Sequence, residues 1–366
     1  MRENRAKKKS GGTKIFIIIL ILLIAIAGGL LAMKIIKERG NTQNVDSNNV
    51  IENVDSSTLI VEEKKPKTFA GDVRPIAVMI DNHIQAMPQA GLEQADLVYE
   101  MIVEGGETRL MLVLKDKDLS KVGPIRSSRH NFLDYALEND AIYVHYGWSP
   151  KAKSDISTLN VNNINGIFES GSKKGFWRDT GKYAPHNAVT NTENILNIAK
   201  RKGYRTTTSK DPVLNYVVDE VNLENGQDAE TVTIPYSDHN TVKYKYDSEK
   251  QVYTRYSRGK KQTDWVTKNT VTTKNIIISF ARNTSIDSKD RQNIDNAKTL
   301  DGYYITNGKA IKIKCEKKSR SSQTVYKDLQ GNEIDVNDGK TFIQICPINA
   351  KVTIEGAEET VTEDVD

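Results

Sequence analysis

The chain has 366 residues, enough for more than one core, and a formal net charge of +4. Nine Lys/Arg and only two Asp/Glu fall within residues 1–39, so the remainder carries 43 basic against 46 acidic residues and is net −3. With the basic surplus confined to one end, and no Lys/Arg stripe interleaved with aromatics, composition argues against nucleic-acid binding.

Ile15 to Met33 is an unbroken run of apolar or small residues, long enough at about 1.5 Å per residue to cross a bilayer once as a helix. Arg2, Arg5, Lys7, Lys8, Lys9 and Lys14 precede it, whereas Lys34, Lys37 and Arg39 follow. This asymmetry predicts a basic cytoplasmic tail (1–14), a transmembrane signal anchor (15–33) and folded domains outside. A cleaved signal peptide is the competing expectation, because Ala25-Ile26-Ala27 fits a small-x-small site. No Cys lies near the end of the run to take a lipid.

Residues 34–69 are rich in Asn, Asp, Ser, Glu and Lys and predict a flexible stalk. A mixed α/β or α+β domain is expected over 70–205. Strands are predicted at Pro75–Ile80, ending on Asp81-Asn82, and at Ala95–Val103, Thr108–Leu114 and Ala141–Tyr146. Helices are predicted over Ser127–Asn139 and from Asn191 to Lys202, the second opened by a capping box and closed by Gly203. Over 206–355, short alternating runs such as VTIPYS, TVKYKYD, NIIISFA and KTFIQICPI predict a mostly β domain, before an acidic tail at 356–366. Cys315 and Cys346 are the only cysteines, and outside the membrane they are a candidate disulfide.

Polar residues gather at three places in the first domain. Val122 to His130 reads as a turn opening into a helix, and unpaired N–H groups in a first helical turn accept anions. Arg126, Ser127, Ser128 and Arg129 there offer two guanidiniums and two hydroxyls to a carboxylate or phosphate; the plainer alternative is that Ser127 or Ser128 caps the helix while both arginines face solvent or pair with Asp134 and Glu138. Glu100, Glu104 and Arg109 surround the Gly105-Gly106 turn, as acid/base groups or simply as partners for arginines. Arg178, His186 and Asn187 lie in an aromatic, Gly-rich loop suited to sugars or wall peptides. Four of the five histidines, including His145 and His186, fall in this domain, although a lone His is more often structural. No HExxH or comparable spacing exists, so neither a metal nor a cofactor is expected.

Several strings in order carry a resemblance to a family: Arg74-Pro75-Ile76-Ala77-Val78-Met79-Ile80-Asp81-Asn82, Pro88-Gln89-Ala90-Gly91-Leu92, Ala95 to Glu100, Val103-Glu104-Gly105-Gly106, Gly123 to Arg129 and Ala184-Pro185-His186-Asn187. Asn275–Ala281, Gly302–Lys317 and Asp338 to Phe342 continue it. Together they resemble the YerB-like lipoprotein family, over about residues 70–355. The resemblance implies a bacterial cell-surface protein of two successive domains and no agreed activity. This chain departs in lacking a lipid-bearing Cys, and in carrying Cys315 where the family commonly has Trp.

The leading functional expectation is an envelope protein binding an anionic cell-wall or lipid-linked ligand through Asp81, Asn82, Glu100, Glu104, Arg109, Arg126, Ser127, Arg129, His145, Arg178, His186 and Asn187. An enzyme acting on the wall, a phosphotransferase or hydrolase with Asp81 or Glu100 as base and His186 as acid, is the alternative, without a diagnostic motif. A scaffold in a membrane complex is a third.

Overall fold

The computed structural model describes residues 65–171 and 175–357. The expected basic tail, the transmembrane segment, most of the stalk and most of the acidic tail lie outside the described residues. Among the described residues, no helix is long and apolar enough to cross a membrane.

The fold is mostly β with few helices. Its center is a twelve-stranded sheet whose first strands are β1 (Ile76–Asp81), β2 (Leu97–Ile102), β3 (Thr108–Leu114), β4 (Ile142–His145) and β5 (Asn163–Asn165). Helices α1 (His130–Glu138), α2 (Pro150–Thr158) and α3 (Thr192–Arg201) complete the first half. The second half adds β6 (Thr231–Ser237), β7 (Asn240–Asp247), β8 (Val252–Ser257), β9 (Lys260–Lys261), β10 (Asn275–Ser285), β11 (Thr299–Thr306), β12 (Lys309–Lys317), β13 (Thr324–Lys327), β14 (Thr341–Pro347) and β15 (Thr353–Glu355), with shorter bridging strands between.

The main path of the large sheet runs β13, β12, β11, β10, β14, β2, β3, β1, β4, β5. The two halves of the chain therefore share one hydrogen-bonded sheet: β14 pairs in parallel with β10 on one side and with β2 on the other, Val98 lying opposite Phe342. Strands β1 and β3 are buried at every position, as sheets covered on both faces require. Alternate side chains enter different cores. Ala77, Met79, Met111 and Val113 pack with Phe132, Leu133 and Ile156 of α1 and α2. Val78, Ile80, Leu110 and Leu112 pack with Ile195 and Ile198 of α3 and with Val232, Val242 and Tyr244 of a second, six-stranded sheet ordered β9, β8, β7, β6, β15.

Three sequence expectations change. The first helix starts at His130 and not at Ser127, because Ser128 is drawn into a parallel bridge with Trp148: its N–H donates to the Gly147 carbonyl and its carbonyl accepts from Ser149. Helix α2 was not anticipated, although Ser149 caps it from the Ala152 N–H and Pro150 sits at its first position, a recognizable start signal. The candidate disulfide is absent: Cys315 and Cys346 are both free and buried. They lie in opposite cores on strands three apart in the sheet, roughly 14 Å at about 4.8 Å per strand, beyond the reach of a disulfide.

At the edge of the expected stalk, the Lys67 and Thr68 N–H groups both donate to the Asp338 carboxylate at 2.8 Å, and Phe69 is buried. These last residues are thus tied to the fold.

Candidate functional site

Strands β1, β4 and β5 are mutually parallel, and β3 runs antiparallel to β1. The C-terminal ends of β1 and β4 and the start of β3 therefore fall at one edge of the sheet, where ligands of parallel sheets gather. Asp81 ends β1 and lies opposite Arg109 in register. Beside them runs the Val122–Arg126 segment, which is not the turn its sequence suggests. It is extended, bridging Val122 to Thr190, Gly123 to Ala90 and Ile125 to Ile80.

One polar group centers on Asp81. Its Oδ2 lies 2.7 Å from His186 Nδ1 and 3.1 Å from Arg126 Nε. The His186 ring stacks on His83, centroids 4.5 Å apart, and its Nε2 has no hydrogen-bond partner among the described residues. His83 was not among the expected site residues, though its place two positions after Asp81, where its N–H donates to Oδ1 at 3.1 Å, was a usable signal. Arg126 and Arg178 both donate to the Pro185 carbonyl, at 3.5 and 3.4 Å. Arg178 also donates to Asn187 Oδ1 at 2.9 Å and lies over the Tyr146 ring at 4.9 Å. Asp81 and His186 are nearly buried, whereas Arg126 keeps 28% of its side chain in water.

A second group adjoins it. Glu104 pairs with Arg109 at 3.2 Å, accepts from Arg129 Nε at 2.8 Å and takes a further contact from Arg129 Nη2. Burial would raise the Glu104 carboxyl, but the Arg129 and Arg109 guanidiniums outweigh it and hold it at about 2. Arg109 moves the other way: burial, then the like charge of Arg129, bring it down to about 9 even though Glu104 favors its charged form. One carboxylate thus serves two guanidiniums. Arg109 Nη1 also donates to the Ser127 carbonyl at 2.5 Å. The turn that carries Glu104 needs Gly106, since a Cβ there would come within 2.9 Å of Ser237 Cβ.

The remaining expected site residues do not join this surface. Glu100 is fully buried and paired with Arg255 at 2.6 Å. Asn82 is buried beside it, donating to Glu100 and Thr108. His145 is buried against the Gly147 carbonyl and Asn163, and burial lowers its imidazole despite those bonds. Ser127 Oγ donates to the Tyr146 carbonyl, and Arg129 caps α1 only through its backbone. The expected anion site at the start of a helix is therefore not formed, because both serines lie in the extended segment before it.

What remains chemically available is the pair of guanidiniums Arg126 and Arg178 with Asp81 and an imidazole nitrogen beside them, while Arg109 and Arg129 are buried against Glu104. Among the described residues no carboxylate pairs with Arg178. The exposed group therefore carries a positive surplus.

Comparison with known proteins gives two family matches: residues 62–205 match the "Protein of unknown function (DUF3048) N-terminal domain" and residues 232–343 its C-terminal domain. The chain is 33% identical over 285 residues to "Putative lipoprotein YerB" of Bacillus subtilis (strain 168), covering 75% of this chain and 81% of that one. It is similar to the crystal structure of YerB protein from Bacillus subtilis with a TM-score of 0.69 and 32% identity, over 77% of this chain and 94% of that one.

Proposed function

This chain belongs to the YerB-like family built from the two DUF3048 domains, and from that premise we propose that it is an envelope protein binding a phosphate- or carboxylate-bearing ligand at the surface of Arg126, Arg178 and His186. The observation that carries this reading is that Arg126 and Arg178 converge on the one carbonyl of Pro185. A neutral carbonyl cannot balance two guanidiniums, and Asp81 balances only the first. A phosphate set between them would accept forked hydrogen bonds from both and a further one from His186 Nε2 when that nitrogen is protonated.

Placement at the outer face of the cytoplasmic membrane, by a single span at 15–33, belongs to the same proposal. It is supported by the charge asymmetry around that segment and by the word lipoprotein in the name of the relative. In this reading attachment is common to the two proteins, and the means differs because this chain has no Cys to take a lipid near residue 33.

The test is retention on isolated cell wall and on poly(glycerol phosphate) by the full-length chain and its Arg126→Ala/Arg178→Ala variant. At least a tenfold loss with unchanged circular dichroism is expected; equal retention overturns the proposal.

A second reading rests on the Asp81–His186 contact. A carboxylate at Nδ1 orients an imidazole so that Nε2 can move a proton, the arrangement of a general acid or base. In that reading the arginines stabilize phosphate charge and the protein turns over a lipid-linked wall precursor. Release of product by wild type and its loss in Asp81→Ala would favor it over simple binding.

A further inference from the structure

A cleft of about 300 Å³, at the small end of ligand pockets, opens between the His83–Pro88 turn and the β8–β9 hairpin. One wall is Ile84, Met87 and Pro88; the other is Ser257, Lys260, Lys261 and Gln262. Ile84 is 46% exposed despite its apolar side chain. Lys260 and Lys261 are exposed at the rim and have no carboxylate partner among the described residues.

Two polar side chains on the second wall are almost fully buried yet unpartnered: Ser257 Oγ and Gln262 Oε1. The orientation of the Gln262 amide is fixed by a chain of bonds that begins at an acceptor-only group. The Glu100 carboxylate accepts from Asn82 Nδ2 at 3.1 Å, which turns Asn82 Oδ1 toward Gln89 Nε2 at 2.9 Å. Gln89 Oε1 is then the acceptor for Gln262 Nε2 at 3.3 Å. Every amide in the series is set by the one before it, so the group that Gln262 leaves over is an acceptor, and it needs an N–H or O–H donor.

The cleft also borders a strand edge. Among the described residues β9 pairs only with β8, through Tyr256–Lys261 and Ser257–Lys260, and it ends the six-stranded sheet. An extended peptide can lie along such an edge, donating its backbone N–H groups and setting alternate side chains into pockets. The apolar wall has aliphatic and proline side chains and no aromatic face, which suits an aliphatic side chain better than a sugar ring. The unpaired lysines call for acidic neighbors.

We infer that this cleft docks an extended acidic peptide, which donates an N–H to Gln262, sets an aliphatic side chain against Ile84, Met87 and Pro88, and places a carboxylate by Lys260 and Lys261. The inference does not rest on the guanidinium surface, whose residues do not line this cleft. Fluorescence anisotropy of the full-length chain with an acetylated Val-Glu-Val-Glu-Val-Glu peptide, and with its lysine counterpart, tests it. Binding of the acidic peptide alone is expected, tenfold or more weaker in Lys260→Glu/Lys261→Glu and about fivefold weaker in Gln262→Met. In Arg126→Ala/Arg178→Ala it should be unchanged, whatever that variant does to wall retention. Equal binding of both peptides, no saturable binding, or indifference to Lys260→Glu/Lys261→Glu overturns it. Displacement of the peptide by glucuronate alone would reassign the cleft to a sugar acid and also overturn the peptide assignment.

Discussion

Asp81 and His186 are separated by 105 positions in the chain, yet Asp81 Oδ2 lies 2.7 Å from His186 Nδ1. The same oxygen holds Arg126, so one carboxylate orients both the imidazole and the first of the two exposed guanidiniums. Asp81→Asn keeps the shape and removes that charge. Pyrophosphate binding at low salt is then expected to tighten about threefold, the scale of a partly exposed charge interaction. Titration calorimetry on wild type and variant decides it, and weaker binding in the variant would count against a surface limited by its own carboxylate.

Acid should act on Glu104. Its carboxyl is held at about 2, below its ordinary 4.5, after Arg129 and Arg109 overcome the effect of burial. Because the folded value is the lower one, the stabilization is fully present above about pH 4.5 and is lost as pH falls from there toward 2. Its size is at most about 3 kcal/mol at about 1.36 kcal/mol per unit, and solvent screening of this partly exposed carboxylate reduces it. Urea unfolding at pH 6, 4 and 3 should show the loss, and Glu104→Gln should reduce its slope while costing stability at pH 6, since Arg109 and Arg129 are then left facing each other.

The Arg255–Glu100 pair, with both side chains fully buried, should prove structural. Arg255→Leu leaves Glu100 charged and unpaired in the core and is expected to cost about 3–5 kcal/mol. Chemical denaturation gives this value. Wall retention per folded molecule should not change, and a specific loss of retention would place Glu100 back in the binding surface.

Both thiols are buried, which pushes each well above its ordinary range. Neither is expected to react with a thiol reagent in the native protein, and both should react in denaturant without prior reduction. A mass shift corresponding to one disulfide, or rapid native labeling, would contradict the observed separation of Cys315 and Cys346.

Much of the first half was legible because local signals there agree. The apolar run before Asp81 predicts Pro75–Ile80 and the strand is Ile76–Asp81; Asn191 and Gly203 bracket a helix observed at Thr192–Arg201. Where a distant segment competes, local reading fails. Val122–Arg126 looks like a turn, but it forms bridges with Thr190, Ala90 and Ile80, and the helix after it is delayed to His130. Ser149-Pro150 was a readable start of α2, a capping serine followed by a proline at the first helical position.

The candidate site divides in the same way. Sequence alone determined which residue types were present, the alternation that sends Met79 and Ile80 to different cores, and the confinement of the basic surplus to residues 1–39. Those are properties of neighboring residues, fixed by side-chain period and by composition. Which carboxylate meets which cation was decided only in three dimensions. Glu100 and Glu104 are four residues apart, yet the first is sealed against Arg255 while the second reaches the surface beside Arg129. The reason is that ion pairing depends on distance through space, and that distance is set by β14 entering the sheet beside β2 and by the second sheet closing over it.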